Sequence, residues 1–294
     1  MTAAPRSTTP LIDAAELAAA LGSAVAPTVV DVRWTLNGPP GLAEFRAGHL
    51  PGAQWADLDT ELSGPTSPGG AGGRHPLPSA AALATVFRRL GISRDRPVVA
   101  YDAGTSLSAA RLWWLLTDAG HPDVRVLDGG LAAWVAAGHP LETGAAAAVA
   151  PGDFDPQPGR RARVDGDELA TMITEPDHPA VLDVRAAERY AASQDPIDPI
   201  AGHVPGAVSA PSMDNLAAGR FRPAAAIRLR YRDHHDPVLY CGSGITAAHS
   251  LLALESAGLT GRIYPGSWSD WITDPSRPVA TGSEPGGAPG EQPS

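Results

Sequence analysis

Lysine is missing from this sequence, so all 22 basic residues among its 294 are arginine. Without that amine there is no Schiff-base chemistry and no Walker-type phosphate loop. Cysteine is nearly missing too, with Cys241 alone. One cysteine cannot close an intramolecular disulfide and cannot build a cysteine-clustered zinc site. No stretch is long and apolar enough to span a bilayer. The segment "MTAAPRSTTPLIDAAELAAALG" lacks the unbroken apolar core of a signal peptide, because Asp13 and Glu16 interrupt it. A reducing, cytoplasmic setting with no membrane partner is therefore the expectation. The formal net charge is −10 and the arginines are scattered, which argues against nucleic acid as a partner. What is abundant is Gly (32) and Pro (30), which points to many turns and at least one linker.

The chain repeats itself at about half its length, too long a period for a solenoid and right for duplicated domains. "DAAELAAAL" from Asp13 resembles "DGDELATMI" from Asp165, each with a capping-box pattern. At one spacing from these, "VVDVRW" (Val29 to Trp34) pairs with "VLDVRA" (Val181 to Ala186). "AGHLPGA" matches "AGHVPGA", "PVVAYD" matches "PVLYC", and "VRVLDGGLAAW" resembles "GRIYPGSWSDW". Short apolar strands alternating with helix-period runs predict α/β domains, each a parallel sheet with helices on both faces. The expected boundaries are 10–142 and 163–282, with a Gly-, Pro- and Ala-rich linker at 143–162 and a disordered tail at 283–294.

The copies differ in two places. Cys241 of the second copy has Asp102 as its counterpart in the first. From the histidine of His-x-Pro-Gly to that position is 53 residues in copy one (His49 to Asp102) and 38 in copy two (His203 to Cys241). The extra chain surrounds "DLDTELSGPTSPGGAGGRHPLP", residues 57–78, a Gly- and Pro-rich excursion of the kind that is often functional.

A lone cysteine is commonly a small buried hydrophobe. Here "PVLY" predicts a buried strand and "TAAHSLLALESAG" a helix, so Cys241 falls at the C-terminal end of a parallel strand, where open α/β sheets place ligands. The "GSG" that follows permits a tight loop with inward N–H groups, which with the helix N-terminus favour an anion. A phosphatase would need an arginine at the end of this loop, and the run Cys241 to His249 has none.

These motifs together resemble the two-domain rhodanese-type sulfurtransferases, the family of thiosulfate and 3-mercaptopyruvate sulfurtransferases. The resemblance spans residues 10 to 282 and rests on "DVR", "GHLPGA/GHVPGA", "YD…SAARLWWLL", "VLDGGLAAW", "CGSGITA" and "GSWSDW". It implies two tandem rhodanese-like domains, the first non-catalytic. It implies sulfur transfer from 3-mercaptopyruvate or thiosulfate, through a persulfide on Cys241, to cyanide or to a thiol, including that of a thioredoxin-like protein. No metal and no organic cofactor is implied. Ser243, with His75 and Asp59 of the excursion, matches the catalytic set of the mercaptopyruvate branch. Arg189 matches the arginine that binds the donor's anionic end, and Gly242, Gly244, Ile245, Thr246 and Ala247 match the loop that cradles it. Arg33, Arg185, His49 and His203 read as structural. The mercaptopyruvate branch carries a second arginine about nine residues after the first, and here that position is Asp198. One arginine is then left to hold the carboxylate, which keeps thiosulfate open as donor. A different class of function, an idle interaction or sulfur-carrier module, is the alternative that Asp102 suggests and Cys241 opposes.

Overall fold

A computed structural model describes residues 9–36 and 38–286. Their contacts separate two compact units. Unit 1 holds the described residues of Met1–Gly64, Pro78–Arg161 and Ala218–Phe221, and unit 2 those of Pro65–Leu77, Ala162–Ala217 and Arg222–Ser294.

In unit 1 the chain runs β1 (Leu11–Ile12), α1 (Ala14–Leu21), β2 (Thr28–Asp31), α2 (Gly41–Ala47), β3 (Gln54–Trp55), α3 (Ala80–Arg89), β4 (Val98–Tyr101), α4 (Leu107–Asp118), β5 (Val124–Leu127) and α5 (Gly130–Ala136). The five strands form a parallel sheet in the order β1-β5-β4-β2-β3. Unit 2 contains α6 (Gly166–Met172), β6 (Val181–Asp183), α7 (Ala187–Tyr190), β7 (Val208–Ser209) and β8 (Leu216–Ala217). After β9 (Arg220–Phe221), which groups with unit 1, it continues through α8 (Ala224–Arg230), β10 (Val238–Tyr240), α9 (Ile245–Ser256), β11 (Arg262–Ile263) and α10 (Ser267–Trp271). Its parallel sheet has the order β11-β10-β6-β7. Each unit is thus a parallel sheet flanked by helices, the fold expected of the rhodanese-like repeat.

The repeat is visible at the level of single hydrogen bonds. Asp13 and Asp165 each close a capping box, with Glu16 and Glu168 as partners. The central strands TVVD, VVAY and VLY are buried throughout, as apolar strands covered on both faces must be. Asp31 pairs in register with Tyr101, and Asp183 with Tyr240. The next residue along, Asp102 in one unit and Cys241 in the other, therefore leaves the sheet at the same place. Leu50 N–H donates to the Tyr101 hydroxyl at 3.1 Å, and Val204 N–H to that of Tyr240 at 3.0 Å.

Two segments depart from the expected layout. The stretch read as a linker packs along unit 1 up to Arg161. Phe154 sits against Phe87 and His121, Gly152 N–H donates to Arg88 O, and Asp118 accepts from the N–H groups of Gly159 and Arg161. Backbone donors and one aromatic side chain, rather than a continuous apolar pattern, hold it there. The excursion divides: Pro65–Leu77, read as part of the first domain, groups with unit 2. Gly72 N–H donates to Asp270 Oδ1 at 2.6 Å and Arg74 N–H to Ser269 Oγ at 3.0 Å. Of the tail expected to be disordered, 283–286 are placed, with the Pro285 carbonyl accepting from Gly206 N–H at 2.8 Å. Its remainder, 287–294, lies outside the described residues. Among the described residues no helix is long and apolar enough to cross a membrane.

Candidate active site

Cys241 follows β10 directly and is 2% exposed. Its N–H donates to Ser267 Oγ at 3.1 Å, and its carbonyl accepts from Trp268 N–H at 2.9 Å. The Gly242 carbonyl accepts from Ser269 N–H at 3.0 Å. The first turn of α10 therefore clamps the two residues that begin the loop. Cys241 Sγ accepts from Gly244 N–H at 3.2 Å and lies 3.9 Å from Ser267 Oγ. Gly244 has φ +82°, and a Cβ there would run into the Pro265 carbonyl, so both conformation and space demand glycine. Ile245, Thr246 and Ala247 then form the first turn of the twelve-residue α9, whose unpaired N–H groups favour negative charge.

The same construction in unit 1 holds a carboxylate. Leu131 and Ala132 N–H groups donate to the carbonyls of Asp102 and Ala103, as Trp268 and Ser269 do in unit 2. Asp102 Oδ1 accepts from the N–H groups of Gly104 and Ser106, each at 2.9 Å, and Oδ2 from Ser108 N–H at 3.2 Å. Complete burial pushes this carboxyl above the usual carboxylate range, and the N–H groups of Ser106, Gly104, Ala109 and Ser108 oppose the shift. The loop of this framework is thus an acceptor-binding cradle, filled in unit 1 by its own side chain.

Four of the expected site residues come together within unit 2. His75 Nδ1 and Ser243 Oγ share a hydrogen bond of 2.8 Å, and both side chains are nearly buried. Arg189, on α7, reaches over the loop beside Gly242, where an added Cβ would lie 3.2 Å from its Nη1. Its Nε donates to Asp195 Oδ1 at 3.2 Å, and its Nη2 to Asp198 Oδ2. Asp59 belongs to unit 1, where its Oδ2 accepts from Trp34 Nε1 at 2.9 Å.

The residues read as structural are bound as such. Arg33 Nε donates to Asp31 and its Nη2 to Gly48 O at 2.7 Å, while Arg185 does the same with Asp183 and Gly202 O. Removing either guanidinium would strand a buried carboxylate, at a cost of about 3–5 kcal/mol. His49 stacks on Phe45 and His203 on Tyr190, each with Nδ1 at 2.9 Å from its partner's carbonyl.

Two residues at the site escaped the sequence reading. Ser267 has φ +55°, a left-handed conformation rare for serine, and its counterpart in unit 1 is Gly130 at φ +52°. The repeat itself carried that signal, in "DGGLAAW" against "PGSWSDW". Arg74 also stands over the loop: its Nη2 is 2.9 Å from the position of a Cβ on Gly242, and its Nη1 donates to Asp198 Oδ1. Its only sequence signal is that it precedes His75. Among the described residues no His, Cys, Asp and Glu cluster of a size to hold a metal ion occurs.

Comparison with known proteins bears on this arrangement. The model of the rhodanese-like domain matches residues 13–137 and again 165–274. The chain is 46% identical to a probable 3-mercaptopyruvate sulfurtransferase of Pseudomonas aeruginosa, over 94% of this chain and 99% of that protein. It is 42% identical to a putative thiosulfate sulfurtransferase, SseB, of Mycobacterium tuberculosis, over 93% of this chain and 97% of that one. Its fold superposes on the crystal structure of SseA from Escherichia coli, a 3-mercaptopyruvate sulfurtransferase, with a TM-score of 0.78 and 30% identity. That match covers 89% of this chain and 99% of the other. With the duplicated parallel sheets and a cysteine at the cradle of the second, the chain belongs to the two-domain rhodanese family and is a sulfurtransferase.

Proposed function

We propose that Cys241 carries the transferred sulfur as a persulfide, taken from 3-mercaptopyruvate in preference to thiosulfate and delivered to a thiol or to cyanide. The observation that supports it best is the Gly244 N–H on Cys241 Sγ, beside a Ser243–His75 hydrogen bond. In the first half-reaction the Cys241 thiolate attacks the donor sulfur. A sulfur–sulfur bond forms, the donor's carbon–sulfur bond breaks, and its electron pair leaves on pyruvate as the enolate. That enolate needs a proton, and the Ser243 hydroxyl, on the loop itself and held to His75 at 2.8 Å, is placed to relay one. Asp59 enters this scheme on the resemblance alone. In the second half-reaction the acceptor thiolate or cyanide attacks the outer sulfur and releases Cys241 as thiolate.

A charge-assisted hydrogen bond contributes roughly 1.5–3 kcal/mol, so the Gly244 N–H and the start of α9 together stabilise an anionic sulfur substantially. A reducing compartment suits the scheme, because a buried free thiol must stay reduced to act. Incubation with 3-mercaptopyruvate, followed by intact-mass measurement, is expected to add one sulfur atom to the wild type and none to Cys241→Ser. Sulfur retained by Cys241→Ser would remove this cysteine from the mechanism.

A further inference from the structure

The carboxylate at position 198 does not leave Arg189 alone over the loop. Arg74 and Arg189 approach from different segments of unit 2, and Asp198 bridges them, Oδ1 accepting from Arg74 Nη1 and Oδ2 from Arg189 Nη2. The Asp198 side chain is 1% exposed, whereas those of Arg74 and Arg189 are 31% and 16% exposed. Asp195, whose side chain is fully buried, takes Arg189 Nε and faces Arg185 Nη1 at 3.5 Å. Arg74 Nε is buried without a partner among the described residues, and two further nitrogens face Gly242. Among the described residues Arg74 Nη2 and Arg189 Nη1 donate to no acceptor, and these are the atoms nearest the missing Cβ of Gly242, at 2.9 and 3.2 Å. Two open N–H donors on separate guanidiniums thus flank the residue that follows the nucleophile.

From this geometry we infer that Arg74 is the second donor-binding guanidinium, and that Asp198 sets the charge of the subsite so that it selects a singly charged carboxylate over a doubly charged donor. The inference deepens the reading of Cys241 as sulfur acceptor and rests on it. A carboxylate offers two oxygens to two N–H donors, the arrangement that guanidinium groups favour. The charges then discriminate. Arg74 and Arg189 are balanced by Asp195 and Asp198, and Arg185 by Asp183. A neutral cluster accepts one added negative charge more readily than two, because each further charge meets the fixed carboxylates in a partly dry site. The carboxylate of 3-mercaptopyruvate brings one charge and thiosulfate brings two. An arginine at 198 would instead leave the cluster doubly positive and blunt that preference. Gly242 belongs to the same device, since any side chain there would displace both guanidinium groups.

The test combines turnover with a chemical probe that needs no sulfur transfer. Arg74→Gln is expected to raise KM for 3-mercaptopyruvate about ten- to a hundredfold, while kcat changes far less. Asp198→Asn is expected to shift the ratio of kcat/KM values toward thiosulfate by about tenfold. Adding Asp198→Arg to Arg74→Gln should recover most of the lost affinity. Alkylation of Cys241 by iodoacetate relative to iodoacetamide reads the anion subsite directly. That ratio should fall in Arg74→Gln and rise in Asp198→Asn, which a purely structural role for either residue would not produce. An unchanged alkylation ratio in both variants, or a loss confined to kcat, overturns the inference. If the wild type takes sulfur from neither donor, the reading of Cys241 fails instead, and the alkylation ratios still decide the subsite.

Discussion

At the scale of the residue, the backbone beside Cys241 is strained at Ser267. A non-glycine residue in the left-handed region costs about 1–2 kcal/mol. Unit 1 avoids that with Gly130, and unit 2 bears it at Ser267, whose hydroxyl receives Cys241 N–H and lies 3.9 Å from Sγ. Strain kept beside Cys241 and relieved in the other copy makes the Ser267 hydroxyl a position to test for function. Ser267→Gly and Ser267→Ala both leave Cys241 N–H without its acceptor, and only the alanine retains the strain. The glycine variant should therefore be the more stable of the two by about 1 kcal/mol, while both load sulfur about tenfold slower than wild type. Denaturant midpoints and single-turnover loading measure the two effects, and wild-type loading in both variants would dismiss the hydroxyl. Ser243 and His75 offer a second residue-level test. Proton delivery matters when pyruvate leaves as an enolate and does not matter when sulfite leaves from thiosulfate. Ser243→Ala is expected to slow loading from 3-mercaptopyruvate on the order of a hundredfold and from thiosulfate little. Equal losses with both donors would reassign the Ser243–His75 pair to structure.

At the scale of the element, composition misled where packing decided. Gly, Pro and Ala in 143–162 read as a linker, yet the segment up to Arg161 is fastened to unit 1 by backbone hydrogen bonds and by Phe154. His121 is part of that fastening: Nε2 is 3.1 Å from Ser93 O and the ring meets Phe154 edge-on at 4.9 Å. Burial lowers its pKa from the ordinary 6.5, with Ser93 O and Asp123 opposing the shift. A histidine with a depressed folded pKa binds fewer protons folded than unfolded below 6.5. Its contribution to stability is whole above that pH and is lost as pH falls through the window beneath it. Wild type should thus lose more stability than His121→Asn between neutral pH and about pH 5, as read from denaturant midpoints. Parallel pH profiles for the two would exclude His121 as the titrating group. The active-site loop shows the opposite case. Strand, Gly-rich turn and helix were legible because "VLYCGSGITAAHS" carries all three signals within one short run, and Gly244 sits at the left-handed position the turn requires.

At the scale of the whole molecule, one framework is used twice and only the second copy has a cysteine at the cradle. The cradle of unit 1 is filled by Asp102, whose oxygens reach as far as the N–H groups of Ser108 and Ala109. A thiol at that place would end one bond closer to the backbone, in a loop one residue longer before its helix, with Gly130 where unit 2 has Ser267. Asp102→Cys is therefore expected to take up no second sulfur, so that the load stays at one atom per chain by intact mass. Two atoms would mean that the framework alone suffices for reactivity. Much of this was decided by the sequence itself, because repeated strands, caps and glycines are local patterns. Their duplication made the Asp102 and Cys241 positions comparable without a structure. The tertiary structure alone decided which distant residues meet over the Cys241 loop. Arg74 lies in a stretch of glycine and proline with no periodic pattern, and only the bonds from 72 and 74 to Asp270 and Ser269 carry it into unit 2. Asp198 was legible as a departure from the mercaptopyruvate branch's arginine, and only the fold turns it into the bridge between two guanidinium groups. Sequence records chemistry that is contiguous along the chain, whereas charge balance over a nucleophile is a sum over segments that only folding brings together.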